Sequence, residues 1–144
     1  MSELRELVPG ETHLAAAALR ELRTAYRGDD ELVRRVDDVQ RAQGYRIVGA
    51  FEGERCVAVA GFRVISNLAW HDTLYVDDLS TLPEARGRGY GRALLEWCKE
   101  EGRRQGCGEF HLDSGVGPER EDAHRLYFNT GLRIASYHFS APLR

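Results

Sequence analysis

The 144-residue chain is 42% hydrophobic and 30% charged, a balance that supports a core without disulfides or metals and excludes a disordered or low-complexity chain. Its formal net charge of -3 gives no support to phosphate-driven binding of nucleic acid and suits a cationic substrate better. No apolar run is as long as a membrane span, and Met1-Ser2-Glu3-Leu4-Arg5-Glu6 lacks the regions of a signal peptide, so a cytoplasmic protein with no nucleic-acid or membrane partner is expected.

Residues 2 to 8 read as a first short strand. Leu14, Ala15, Ala18, Leu19, Leu22 and Tyr26 then recur at spacings of three and four, which predicts an amphipathic helix closed by Gly28. Leu32, Val33, Val36 and Val39 predict a second helix, with Asp29 and Asp30 as caps and Gly44 at its end. Tyr45 to Phe51 and Cys56 to Ile65 are β-branched and aromatic runs around the turn signal Glu52-Gly53-Glu54-Arg55, which predicts an antiparallel hairpin. A third run, Thr73 to Leu82, ends at Pro83 and is expected to pair with it.

Tyr90, Leu94, Trp97, Cys98 and Glu101 share one helical stripe. A strand is predicted over Glu109 to Ser114, then a helix carrying Ala123, Leu126, Tyr127 and Thr130, and last a strand over Leu132 to Ser140. The order β-α-α-β-β-β-α-β-α-β describes an α/β chain with a mixed sheet around one core, in a single domain spanning 1–144. The three cysteines have no C-x-x-C spacing and the five histidines no close ligand spacing, so no disulfide framework and no metal site are expected.

The most informative segment is Arg86-Gly87-Arg88-Gly89-Tyr90-Gly91, with Arg92 following, between a strand and a helix. Glycines there let the backbone take positive φ and approach a ligand, while the helix N-terminus presents free N–H groups and partial positive charge. A pyrophosphate is the natural guest, with Arg86, Arg88 or Arg92 adding charge. A P-loop is excluded because Arg92-Ala93 follow Gly91 where lysine and a hydroxyl are required, and the third glycine comes one residue early for a dinucleotide fingerprint.

With Arg86, Gly89 and Gly91 the chain resembles the GNAT superfamily of N-acetyltransferases, whose central motif is [RQ]-x-x-G-x-[GA]. Ala123-x-x-Leu126-Tyr127-x-x-x-Gly131-Leu132 is similar to its later A-x-x-L-Y-x-x-x-G-F signature, with leucine in place of phenylalanine. The resemblance covers almost the whole chain and implies a mostly antiparallel central sheet flanked by helices, with acetyl-CoA as cosubstrate and no metal. It also implies that the fourth and fifth strands splay apart, so that pantetheine inserts between them against backbone near Leu79 and Thr81, beside the phosphate turn Arg86 to Arg92 with Tyr90. A homodimer is common among relatives. Many of them carry an asparagine seven residues before the tyrosine; here that position is Arg120, an alternative contact for phosphate or substrate.

Acetyl transfer to an amine needs a base, stabilisation of the developing oxyanion and a proton for the leaving thiolate. The resemblance makes Tyr127 the general acid, against a plain core role on the stripe of Ala123 and Leu126. Strand alternation puts Asp78 on the face of Leu74 and Val76, and Asp77 on that of Tyr75 and Leu79, so one of the pair is expected to be partly buried or beside a bulge. Asp78, or Asp113 in the predicted fifth strand, is the candidate base; Asp77 and Tyr26 are candidates for binding the acceptor, a small-molecule or peptide amine. The alternative is a catalytically idle acyl-CoA-binding sensor or interaction domain, since fold does not guarantee chemistry.

Overall fold

Five strands make one sheet, in the order β1-β2-β3-β4-β5, in the computed structural model, which describes residues 2–144. The strands are β1 (Ser2–Leu7), β2 (Arg46–Glu52), β3 (Arg55–Asn67), β4 (His71–Thr81) and β5 (Glu109–Leu112). β1 to β4 pair antiparallel, whereas β5 joins β4 in parallel. The parallel step demands a crossover, and α3 (Tyr90–Arg104) supplies it. The described residues group into two compact units, one ending at Leu112 and the other Asp113–Arg144.

In the first unit, β3 is buried continuously from Cys56 to Phe62. Successive strand side chains point to opposite faces, so this run is covered on both sides. The core joins Ile47, Val48, Val57, Val59, Phe62 and Leu74 with Leu19, Leu32 and Leu94 from the helices. A Cβ at Gly102 would lie 3.4 Å from Leu74, so the bare helix face there lets α3 settle close on β4.

The stripe predicted from Tyr90 to Glu101 is the buried face of α3. At its far end Glu101 takes Arg46, Arg104 and Gln105 at 2.7–3.0 Å, and Arg46 also reaches Glu6 in β1. These donors hold the Glu101 carboxyl down at about 2, the largest effect coming from Arg104. Burial pushes the Cys56 thiol up to about 11 and that of Cys98 to about 12, which fits packing rather than reactive roles.

The first predicted helix is shorter than its periodicity suggests. A one-turn 3-10 segment, Thr12–Ala15, leads into α1 (Ala16–Leu22), and Arg23 leaves helical geometry at φ -103, ψ 76. Tyr26 therefore lies in a loop, whose carbonyls at Tyr26 and Arg27 accept from Arg20. α2 (Asp29–Arg35) starts after an extended Gly28, with Asp29 and Asp30 in its first turn rather than at the cap. It continues through Val36–Gln40 and Arg41–Gln43 to Gly44, whose φ of +88 ends the helical run.

The second unit holds the turn Pro118–Arg120 and α4 (Glu121–Asn129). Gly131, at φ +89, donates to Phe128 O and Leu132 to Tyr127 O at 3.0 Å, closing a Schellman motif on α4. That geometry is the physical content of the final glycine in the second signature. The strand expected over 132–140 does not form, and Ile134, Tyr137 and Phe139 stand exposed. The reason lies within the unit, which contains no other strand to complete a ladder for this segment. The fifth strand likewise ends at Leu112, short of the expected Ser114.

Candidate functional site

The strand–turn–helix segment has the geometry its glycines imply. β4 ends at Thr81, Pro83–Ala85 makes one 3-10 turn, and α3 begins at Tyr90. Gly87 and Gly89 take φ of +79 and +84, and an ideal Cβ at either would meet no atom within 4 Å. These two positions need glycine for conformation, and the space above them is open. The first N–H to bond back at the head of α3 is that of Ala93, to Gly89 O at 3.0 Å. Among the described residues, the N–H groups of 87–92 have no backbone acceptor, which leaves a row of donors at a positive helix end.

The arginines of the turn are tied to different neighbours. Arg86 donates to Thr81 O at 3.3 Å and to Glu21 at 3.2 Å. Arg88 reaches Glu52 at 2.6 Å, and the Tyr90 hydroxyl bonds the same carboxylate oxygen. The Tyr90 and Arg88 donors lower the pKa of Glu52, and the Tyr90 phenol is raised by that same bond. Among the described residues Arg92 forms no ion pair with a carboxylate, leaving its charge available to a ligand at the turn.

β4 has an open edge leading toward that turn. β5 pairs with Thr73 to Val76 only, whereas β4 runs on from Asp77 to Thr81. On the other side Asp78, Leu79 and Thr81 pair with Gly61, Ala60 and Ala58 of β3. The backbone of 77–81 thus has one edge without a strand partner among the described residues, and Leu79 and Thr81 lie on it. β4 thus outruns β5 where the resemblance implies that the fourth and fifth strands part.

A bulge marks the start of the open edge. Gly61 pairs with Asp78 while Phe62 pairs with Val76, so Asp77 is the extra residue. Asp77 forms a two-pronged ion pair with Arg63 at 2.7 and 2.8 Å. The Asp78 side chain is 14% exposed and accepts from the Tyr45 hydroxyl at 2.7 Å and from Arg23 Nε at 2.6 Å. Arg23 also donates to the Asp77 carbonyl at 2.9 Å. The expectation that one aspartate would be part-buried beside a bulge describes Asp78.

In the second unit, Tyr127 lies on α4 one turn before its cap, and burial raises its phenol pKa against a partial opposing effect of the Arg120 guanidinium. His124, on the same helix, holds Gly115 O at 2.8 Å and Ser114 Oγ at 3.1 Å. Asp113 is half exposed and pairs with His138 at 3.2 Å.

Sequence reasoning passed over Tyr45, Arg23 and Glu52. The signal for Tyr45 was a glycine inside a strand pattern, Gly61, which marks a bulge or a close approach of another group. Arg23 and Glu52 carried no such signal, because their partners lie 55 and 36 residues away.

Residues 14–131 match the acetyltransferase (GNAT) family. An uncharacterized N-acetyltransferase of Bacillus subtilis is 32% identical over 126 residues, covering 87% of each chain. An aminoalkylphosphonate N-acetyltransferase of Salmonella typhimurium is 34% identical over 68 residues, 47% of this chain and 43% of that protein. Among solved structures, an aminoglycoside N-acetyltransferase in complex with CoA superposes with a TM-score of 0.82 at 16% identity, covering all of this chain and 95% of the other. No helix among the described residues is long and apolar enough to cross a membrane.

Proposed function

The chain belongs to the acetyltransferase (GNAT) family, and from that premise we propose that it moves the acetyl group of acetyl-CoA to a primary amine on a small molecule or peptide. The observation that carries the reading is the open edge of β4 running into a turn whose glycines 87 and 89 take positive φ at the head of α3. Acetyl-CoA would supply an activated thioester: the amine nitrogen bonds the acetyl carbon, the C–S bond breaks, and the thiolate leaves with a proton.

The residues present fit such a ligand. The N–H groups of 87–92 and the Arg92 guanidinium suit a pyrophosphate, since an anion at a helix N-terminus meets donors and a favourable dipole together. Leu79 and Thr81 offer strand-type hydrogen bonds to the amides of pantetheine. A backbone N–H on this edge of β4 would stabilise negative charge developing on the thioester carbonyl.

Tyr127 is the proposed proton donor to the thiolate. Its raised pKa keeps the phenol protonated at neutral pH, the state a general acid needs. The proton lost by the amine passes to a carboxylate-assisted base, Asp78 or Asp113. Asp77, engaged by Arg63, and Tyr26 in the α1–α2 loop are the proposed acceptor contacts, and Arg120 a cofactor contact. The aminoalkylphosphonate and aminoglycoside relatives act on small amines by name, which puts such amines first among the acceptors to try.

The test is release of free thiol from acetyl-CoA with aminoalkylphosphonates, aminoglycosides, polyamines, amino acids and short peptides. Saturable release with one class supports the reading. Tight binding of acetyl-CoA with no release from any class would favour an idle acyl-CoA-binding domain.

A further inference from the structure

The bulge in β4 is held by two side chains from other elements, an arrangement that packing alone does not require. The Tyr45 ring is buried at 4% exposure and lies across Gly61. A Cβ at position 61 would stand 1.7 Å from the Tyr45 hydroxyl oxygen, so the glycine leaves the room in which that hydroxyl reaches Asp78 Oδ2. Gly61 is also the residue that pairs with Asp78 at the bulge. From the opposite side Arg23 grips Asp78 Oδ1 with Nε and the Asp77 carbonyl with its second guanidinium arm.

Both oxygens of Asp78 and the carbonyl of the extra residue are therefore fixed, one by a residue leading into β2 and the others by the residue that ends α1. A bulge left to itself is a flexible irregularity in a ladder; a carboxylate bonded on both oxygens, one of them to a charged donor, gives it a single geometry. Burial and the Asp78 charge raise the Tyr45 phenol well above its ordinary value, so it stays a donor.

We infer that Tyr45 and Arg23 are positioning residues for acetyl transfer: acting through Asp78 and the Asp77 carbonyl, they fix the bulge so that its backbone N–H meets the thioester carbonyl, and Gly61 is the vacancy that permits it. The inference rests on the reading of β4 as the acyl site. Arg23 also belongs to the α1–α2 connection that carries Tyr26, so it ties this proposed acceptor wall to the same bulge.

The experiment is infrared difference spectroscopy of acetyl-CoA labelled with carbon-13 at the thioester carbonyl, bound to wild type, Tyr45→Phe, Arg23→Gln and Arg23→Lys. Hydrogen bonding to a carbonyl lowers its stretching frequency. Wild-type protein is expected to lower it, while Tyr45→Phe and Arg23→Gln return it at least halfway to the free value. Titration with CoA, which lacks the acetyl group, should give Kd values for both variants within about threefold of wild type, since the phosphate turn is untouched. With an acceptor that wild type turns over, kcat should fall about tenfold in both variants, a fraction of the loss of a whole oxyanion donor. Arg23→Lys, which keeps a charged donor for one of the two partners, should recover part of the shift.

Variants with the wild-type frequency would overturn the inference, as would parallel loss of CoA affinity, which denotes a merely structural role. A wild-type complex that binds acetyl-CoA without lowering the frequency would instead overturn the reading of the acyl site itself.

Discussion

Tyr45 reaches Asp78 over a position that carries no side chain, and this leaves no room for one at Gly61 of β3. Alanine there would place a methyl carbon 1.7 Å from the Tyr45 hydroxyl oxygen and 2.3 Å from the ring carbon bearing it. The ring is rigid and buried, so it must be displaced. Gly61→Ala is expected to cost about 1–3 kcal/mol, the usual range for overpacking, and chemical denaturation would read it as a lower midpoint with an unchanged slope. At Tyr127 the consequence is catalytic. Tyr127→Phe keeps the half-buried ring but removes the proposed proton donor, so turnover should fall about 100-fold or more while CoA affinity holds within about twofold. Because burial raises this phenol, deprotonation of Tyr127 should end activity only above the ordinary phenol range. A pH–rate profile of kcat with an alkaline limb at neutral pH would deny Tyr127 the role.

Among the elements, α3 does two jobs at its two ends. Its head carries the glycine turn proposed to hold phosphate, and Gly89→Ala, forcing a side chain into φ +84, should cost about 1–2 kcal/mol of the turn's geometry and weaken CoA binding roughly tenfold by calorimetry. Its tail is pinned by Glu101. A carboxyl with its folded pKa depressed to about 2 contributes stability that is present above its unfolded value near 4.5 and lost as pH falls through about 2. Glu101→Ala, which removes an acceptor of charged donors, should cost about 2 kcal/mol at pH 7 and much less at pH 2.5. Thermal melts at the two pH values would show whether the gap closes.

The legibility of these elements follows their physics. α3 was readable because burial imposes a period along contiguous residues, as in Tyr90, Leu94, Cys98 and Glu101, and the β2–β3 hairpin because β-branched and aromatic runs flank a turn signal. The glycine turn was readable because positive φ leaves glycines at fixed spacing. The early end of α1 was not, since it depends on Arg23 bonding residues some 55 positions on. The tail failed for a related reason: Tyr137 and Phe139 alternate with His138, which gives strand character, but a strand exists only with a partner for its backbone. Of the site, the bulge beside Asp78 was foreseen from a charge sitting on an apolar strand face, whereas the hydroxyl bonded to it was hidden in a residue 33 positions earlier.

At the scale of the molecule, helices close both faces of β2 and β3, and the sheet opens where β4 outruns β5. The fold thus sets a doubly covered strand, β3, beside a strand edge that has no strand partner among the described residues, with free backbone N–H groups at the end of that edge. The family identity fixes the reaction class, and the acceptor contacts proposed for it are Tyr26 in the α1–α2 loop and Asp77. A net charge of -3 favours a cationic amine over an anionic one, and raising salt should weaken the capture of a polyamine more than that of a neutral peptide.

The central claim is that the open edge and the turn together form an acyl-CoA site, and calorimetric titration of the protein with acetyl-CoA tests it most directly. The account predicts saturable binding at one site per chain, weakened about tenfold by Gly89→Ala. No heat of binding up to millimolar acetyl-CoA, or binding that Gly89→Ala leaves unchanged, would contradict it.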